Sequence, residues 1–349
     1  MASANALGYI LPISVGSAAV ASGLSLAHVD WKAAMLNFVT GPGRTSRVLL
    51  AIFVVTNWKS MPFMWTYRVL GAMIRNYIPM LRPPSLHPRM LFHYSITSSY
   101  TSLQETDYNM HKSNSTYFSD LDVARTHCVS HLFKPGLDAL SANARTRVVR
   151  DKNGDVVKGG MGIGFGAVFC SFRREVRPLQ GYDMWTRVLS WDRKWVYFVT
   201  YYVIKGKVKP TGWDSGNVGW FGPLRQKRTT AELKEGEGSA EWEKYVIATA
   251  VSKYVFKVGR FTVHPSIVMA ESGLLPERPS GWRGGVNEVG DESEELGEIQ
   301  SGGEDWDWKR IEHQRREGMK YAEKFAALDG LGGLFDGGED GALGRFHPG

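Results

Sequence analysis

The stretch Glu105–Arg125, ETDYNMHKSNSTYFSDLDVAR, sets an Asp, an Asn and a His two residues apart, Asp107, Asn109 and His111. Small polar residues, Ser113, Asn114 and Ser115, follow at once. Tyr117, Leu121, Ala124, Cys128 and Leu132 then repeat at helical spacing, which predicts a helix with one buried face from about residue 115 to 133, ended by Pro135-Gly136. A helix start offers unpaired backbone N–H groups and a partial positive charge. A thioester oxygen held at the amides of Ser115, Thr116 and Tyr117 would be stabilised as it turned into an oxyanion, an effect of about 2.7–4 kcal/mol per donor. Asp107, just upstream, could activate water or attack the carbonyl itself, with Asn109 and His111 orienting it or His111 protonating the leaving thiolate. The plain alternative is that Asp107 and Asn109 shape a turn and that His111 is a satisfied structural histidine. Three such residues in register ahead of a well-formed helix favour chemistry.

The elements that must hold this segment are readable around it. Residues 90–275 alternate in a strand-like way, with Phe92, Tyr94 and Ile96 on one face of a first strand and further strands at 161–176, 182–190, 194–204 and 244–264. Residues 182–204 read as a hairpin turning at Trp191-Asp192-Arg193, and its second strand is aromatic or β-branched throughout, as suits burial on both faces. Glycines at 160, 162, 164 and 166 imply a bare strand face that lets the central helix or an acyl chain come close. They match a dinucleotide-binding pattern only superficially, since no strand precedes and no helix follows them. The expected architecture is α+β, with an antiparallel sheet of five or six strands wrapped around one long central helix.

Taken together, the loop and helix resemble the active-site region of the hot-dog-fold thioesterase superfamily. The D-x-N-x-H spacing is similar to that of plant acyl-carrier-protein thioesterases, which implies catalytic roles for Asp107, Asn109 and His111. The order of elements also resembles eukaryotic membrane-anchored thioesterase-like proteins and fungal thioesterases of secondary-metabolite clusters of the leucinostatin type. In those families the strand after the helix carries an Arg-Arg pair, seen here in Phe172-Arg173-Arg174-Glu175. Glu175 is a candidate second carboxylate, against the commoner arrangement of a surface ion pair with Arg173 or Arg174. The resemblance covers about half the chain and implies a homodimer that hydrolyses a fatty-acyl or polyketide-like thioester, carried on coenzyme A or a carrier protein. Its rivals are a non-catalytic, membrane-tethered acyl-CoA or lipid binder and a hot-dog dehydratase. The Gly-rich strand and an insertion at 205–241 depart from the common pattern.

The chain divides, on this reading, into N-terminal hydrophobic helices (1–84), the hot-dog domain (85–275), an acidic Gly/Glu-rich linker (276–304) and a C-terminal helix and tail (305–349), the linker and tail partly disordered. Residues 8–29 are uncharged but lack a basic segment before them, unlike a secretory signal. The run VLLAIFVV at 48–55 is too short to span a bilayer and continues through Trp58, Phe63, Trp65 and Tyr67 as an interfacial helix would. Packing on the core and association with a membrane both fit these segments. The formal charge of +7 is uneven, because nine acidic residues fall between Glu288 and Asp307 without one Lys or Arg. The basic remainder suits nucleic acid, an anionic lipid or a polyphosphate-bearing substrate such as coenzyme A, and charge does not choose among them; with the resemblance, a thioester is the expected partner, not nucleic acid. The two cysteines, Cys128 and Cys170, form no metal pattern and point to a reducing compartment, the cytoplasm. His127 and His131 share a helix face but lack the Glu of an HExxH zinc site, and no G-x-S-x-G occurs. The chemistry requires no metal or cofactor.

Overall fold

The apolar run at 48–55 is helical, inside α2 (Arg44–Thr56), which follows α1 (Trp31–Thr40). Asp30 caps α1 by accepting the Ala33 N–H, and Gly43, at φ +74°, lets the chain bend by 106° between the two helices. The computed structural model describes residues 30–75, 78, 86–210, 218–219, 222–223, 242–279, 281–282 and 306–335. The first hydrophobic segment, most of the 205–241 insertion, the Pro-rich linker at 79–85 and most of the acidic linker lie outside the described residues.

Packing separates the chain into two units, 1–61 and 62–349. The division falls earlier than residue 84 because the next helix, α3 (Met64–Arg75), packs with the domain. Its Ala72 is buried and its Arg68 ion-pairs with a buried aspartate of the central helix. The interfacial helix expected to run on from residue 48 is therefore broken, with a 3-10 turn at Trp58–Ser60 separating α2 from α3.

In the second unit the central helix, α4, spans Thr116–Ser141. Tyr117, Leu121, Ala124, Cys128 and Leu132 are all buried, as their spacing predicts. The helix does not stop at Pro135-Gly136. Proline removes one donor from the ladder, but the next amide, Gly136 N–H, is satisfied from outside by Ser272 Oγ at 3.0 Å. A Cβ at Gly136 would stand 2.2 Å from the Val268 carbonyl oxygen of α5 (Pro265–Glu271), so the glycine admits that helix. Burial of Phe133, Leu137 and Leu140 against it offsets the proline.

Among the described residues the sheet has six strands: β1 (Ser95–Tyr100), β2 (Met161–Phe172), β3 (Gly181–Trp191), β4 (Val196–Ile204), β5 (Val246–Val258) and β6 (Phe261–Val263). Their order is β1-β3-β4-β5-β2, antiparallel throughout, with β6 beside β5. This is the α+β hot-dog arrangement. Strand β1 starts later than the alternation suggested, since Phe92 belongs to a 3-10 turn at Pro88–Phe92 and is buried in the core. The hairpin β3–β4 turns where expected, held by Asp192 Oδ1 accepting Lys194 and Trp195 N–H at 2.7 Å each.

Even-numbered residues of β4 and β5, such as Phe198, Tyr202, Ala250 and Phe256, pack in the two clusters that contain the α4 face. Odd-numbered ones such as Tyr197 and Val251 face away, with Ile247, beside the register shift at Tyr202/Val203, an exception that joins the inner cluster. Tyr197 and Val251 meet Met319, Ala322 and Phe325 of the C-terminal helix α6 (Trp308–Ala326), which thus covers part of the outer sheet face. Gly318 allows this approach, for a Cβ there would lie 1.9 Å from the Leu189 carbonyl oxygen. The bare glycine face of β2 also points outward. A Cβ at Gly166 would stand 2.5 Å from the Trp195 ring and one at Gly164 2.9 Å from Val255 Cγ1, while Gly160 and Gly162 face open space, so Gly166 accommodates a tryptophan and none of the four receives the central helix.

Candidate active site

The D-x-N-x-H segment is a tight loop closed by a bridge between Thr106 and Lys112. Asp107 N–H donates to the His111 carbonyl at 2.9 Å, and Met110 N–H to the Asp107 carbonyl at 3.0 Å. Met110 holds the reversal at φ +62°, a left-handed conformation unusual for a side-chain-bearing residue. Asp107 Oδ1 accepts the N–H groups of Asn109 (2.9 Å) and His111 (3.4 Å). One carboxylate oxygen therefore does the turn-shaping work of an Asx residue. The other, Oδ2, has no protein donor among the described residues. Tyr108, Asn109 and Met110 project into solvent.

His111 points back into the protein and meets Glu175, with Nε2 3.1 Å from Oε2. The surface pairing with Arg173 or Arg174 is not what Glu175 makes, since Arg173 pairs with Glu243. The remaining ring atom, His111 Nδ1, is buried with no hydrogen-bond partner among the described residues. A neutral ring with its proton on Nε2, toward the carboxylate, would leave a lone pair on Nδ1. Strand β2 ends at Phe172, so Glu175 lies just beyond it, and the next residue ties the two segments: Lys112 N–H donates to the Val176 carbonyl at 2.8 Å.

The start of α4 is tighter than an ideal helix. Thr116 N–H donates to the Ser113 carbonyl at 3.0 Å, and Tyr117 N–H reaches the Asn114 carbonyl at 3.4 Å. Thr116 Oγ1 also donates to the Ser113 carbonyl, at 2.7 Å. Of the three amides expected to face an oxyanion, Ser115 N–H alone has no protein acceptor among the described residues, and Asn114 N–H beside it is equally open.

Beneath the loop lies a charged cluster that the motif did not reveal. Asp120, fully buried on α4, accepts hydrogen bonds from Arg68 of α3 (2.8 Å), Ser99 of β1 (3.2 Å), Lys112 (3.1 Å) and the Tyr182 hydroxyl of β3. Lys112 Nζ is also fully buried, 3.3 Å from Glu105 Oε2, with the Tyr117 and Tyr182 rings 5.2 and 5.5 Å away. Breaking such a buried pair typically costs about 3–5 kcal/mol, because the surviving charge is stranded. Burial and the neighbouring carboxylate push the Tyr182 hydroxyl well above the usual tyrosine range, so it stays a donor. The sequence held one clue: Asp120, three residues after Tyr117 and four before Ala124, is a charge on the apolar stripe.

His127 and His131 lie at the seam of α3 and α4, and no group of three His, Cys, Asp or Glu that could hold a metal occurs among the described residues. Burial lowers His127 to about 4, and Arg75 and Arg68 add repulsion. The folded value lies below the free value of 6.5, so neutral His127 stabilises the fold fully above that pH and the contribution is lost as pH falls toward 4. His127→Gln should narrow the drop in Tm between pH 7 and pH 4.5 relative to wild type; an equal drop in both proteins would refute this.

Residues 101–212, from the strand end before the loop to just past β4, match the family model described as Thioesterase-like superfamily. The chain is 33% identical over 331 residues to a probable thioesterase, atnL, of Emericella nidulans, covering 93% of this chain and 97% of that one. It is 34% identical over 290 residues to the thioesterase poxG of Penicillium oxalicum, covering 82% and 85%. A probable thioesterase of Saccharomyces cerevisiae is 25% identical over 66% of this chain and 82% of its own.

Proposed function

We propose, from the premise that the chain belongs to the thioesterase-like superfamily and hydrolyses acyl thioesters, that Asp107, His111 and Glu175 carry the reaction at the mouth of α4. The observation that supports this best is the His111–Glu175 contact of 3.1 Å, which joins two candidates 64 residues apart beside the Asp107 loop. Asp107 Oδ2 takes the proton of the attacking water, while Oδ1 stays bound to the loop amides. Asn109, exposed at the loop tip, reaches toward the bound substrate. The open amides of Asn114 and Ser115 receive the oxyanion, with Thr116 and Tyr117 shaping the helix start that presents them. The proton taken by Asp107 passes on to the departing thiolate, while His111, held by Glu175 through Nε2, orients the loop that carries Asp107. The substrate is a fatty-acyl or polyketide-like thioester of coenzyme A or a carrier protein, and the products are a free acid and a thiol.

Thiol release should be measured on a panel of acyl-CoA and acyl-pantetheine substrates. Asp107→Ala should lower kcat by about 10²–10⁴, the usual size of a general-base contribution. Binding without turnover by wild type would leave a lipid-binding role, and undiminished turnover by Asp107→Ala would remove Asp107 from the reaction.

The homodimer is supported by β2, an edge of the sheet among the described residues, which exposes Ile163, Phe165, Phe169 and Phe172. The Phe172 ring packs 5.0 Å from that of Tyr117, so a second copy on this edge would stand beside the site. Sedimentation should find a dimer for wild type and a monomer of reduced activity for Phe169→Glu; a dimeric variant would place the interface elsewhere.

A membrane surface is the second partner. No single helix among the described residues is long and apolar enough to cross a membrane, though the bent pair α1–α2 passes by length and composition. Helix α3 turns Trp65, Tyr67, Leu70, Met73 and Ile74 outward, and α2 exposes Leu49, Leu50, Ile52 and Val55. Such faces suit an interfacial position. The protein should float with anionic vesicles and do so less after Trp65→Glu with Met73→Glu; flotation unchanged by the pair would clear α3 of that role.

A further inference from the structure

We infer that Lys112 and Asp120 are positioning residues: their buried ion pair sets the distance between His111 and Glu175. The inference rests on the catalytic reading of that pair. His111 and Glu175 sit on separate segments, and Glu175, 75% exposed, has little packing of its own, so its place beside the 30% exposed His111 depends on the segment that carries it. What joins the segments is the residue after each. Lys112 N–H donates to the carbonyl of Val176, which is fully buried. The Lys112 side chain then runs inward, not outward, and is clamped by Asp120 at 3.1 Å and Glu105 at 3.3 Å.

Each clamp is itself fixed. Glu105 Oε2 accepts the Ser102 N–H at 3.0 Å, and the Glu105 carbonyl accepts the Ser113 N–H at 2.7 Å, so Glu105 braces the loop from both sides. Asp120 is tied to α3, β1 and β3 as well as to Lys112. A lysine ammonium on a flexible stem normally seeks water, and burying it is costly unless every charge is matched. Here the cluster of Arg68, Lys112, Glu105 and Asp120 holds two cations and two carboxylates, which cancel. An apolar residue at 112 would fill the space but would leave the loop free to pivot about the Thr106–Lys112 bridge. The ion pair pins that pivot to the helix that also offers the open amides, so loop, helix start and Glu175 share one anchor.

The test uses the full chain with Lys112→Met and Glu105→Gln combined, which keeps the cluster neutral, and Tyr182→Phe as a milder variant that removes one hydrogen bond to Asp120. With folding verified by melting, the double variant should lose at least tenfold in kcat with KM changed less than threefold, and Tyr182→Phe about threefold in kcat. Adding Glu175→Gln should cost wild type about tenfold but the double variant less than twofold, because the contact it removes is already lost. Wild-type kcat in the folded variants, or an undiminished cost of Glu175→Gln, would overturn the inference. Should the double variant not fold, Tyr182→Phe alone decides by the same two readings. Absence of thiol release by wild type would instead overturn the catalytic reading. The ring ¹⁵N shifts of His111 then judge the positioning by themselves: they should move in the variants while those of His127 stay, and unchanged His111 shifts would sink it.

Discussion

The carboxylate of Asp120 is the constraint on which the site end of the domain depends. It is fully buried, and it is tolerable there only because Arg68, Ser99, Lys112 and Tyr182 all donate to it. Those four residues come from a helix, a strand, a loop and a second strand. A desolvated charge enforces its partners in a way that apolar contact does not, since misplacing any one donor leaves a cost that packing cannot offset. Apolar burial draws the helix onto the sheet; the carboxylate specifies which turn of the helix meets which strands.

The two faces of the sheet carry different duties. The inner face packs on α4 and aligns the helix start with the end of β2, where Glu175 follows. Part of the outer face is closed by α6, with Gly318 seated against Leu189 and Trp195 over Gly166. Lys253, on that outer face, is buried under the Trp195 and Phe325 rings and paired with Asp329. The C-terminal helix thus takes the place of solvent on a sheet surface whose alternation is otherwise apolar on both sides, and this explains why β4 reads as apolar throughout.

Asp107 shows how the geometry of one residue is compatible with both a structural role and the proposed chemical one. A turn needs one acceptor oxygen, a base needs another, and a carboxylate has two. The hydrogen bonds to Oδ1 restrict rotation of the group and hold Oδ2 in one place, which is the preorganisation that a proton transfer requires. The turn that competes with catalysis as an explanation is also what would make catalysis efficient.

The sequence by itself determined the α+β class, the strand series along the chain save that it ran β5 and β6 together as one strand at 244–264, the buried stripe of the central helix and the loop in front of it. These follow from local periodicity, which the chain displays wherever one face of an element is buried. It misjudged the end of the helix at Pro135, because the partner that rescues Gly136 N–H is Ser272, 136 residues away. It offered Glu175 a neighbouring arginine, because proximity along the chain says nothing of a histidine 64 residues earlier. It passed over Lys112 and Asp120, whose roles exist only once four elements converge. Periodicity records which side of an element meets the core; which charge meets which across the core is decided by the tertiary structure, through the cost of leaving any buried charge unpaired.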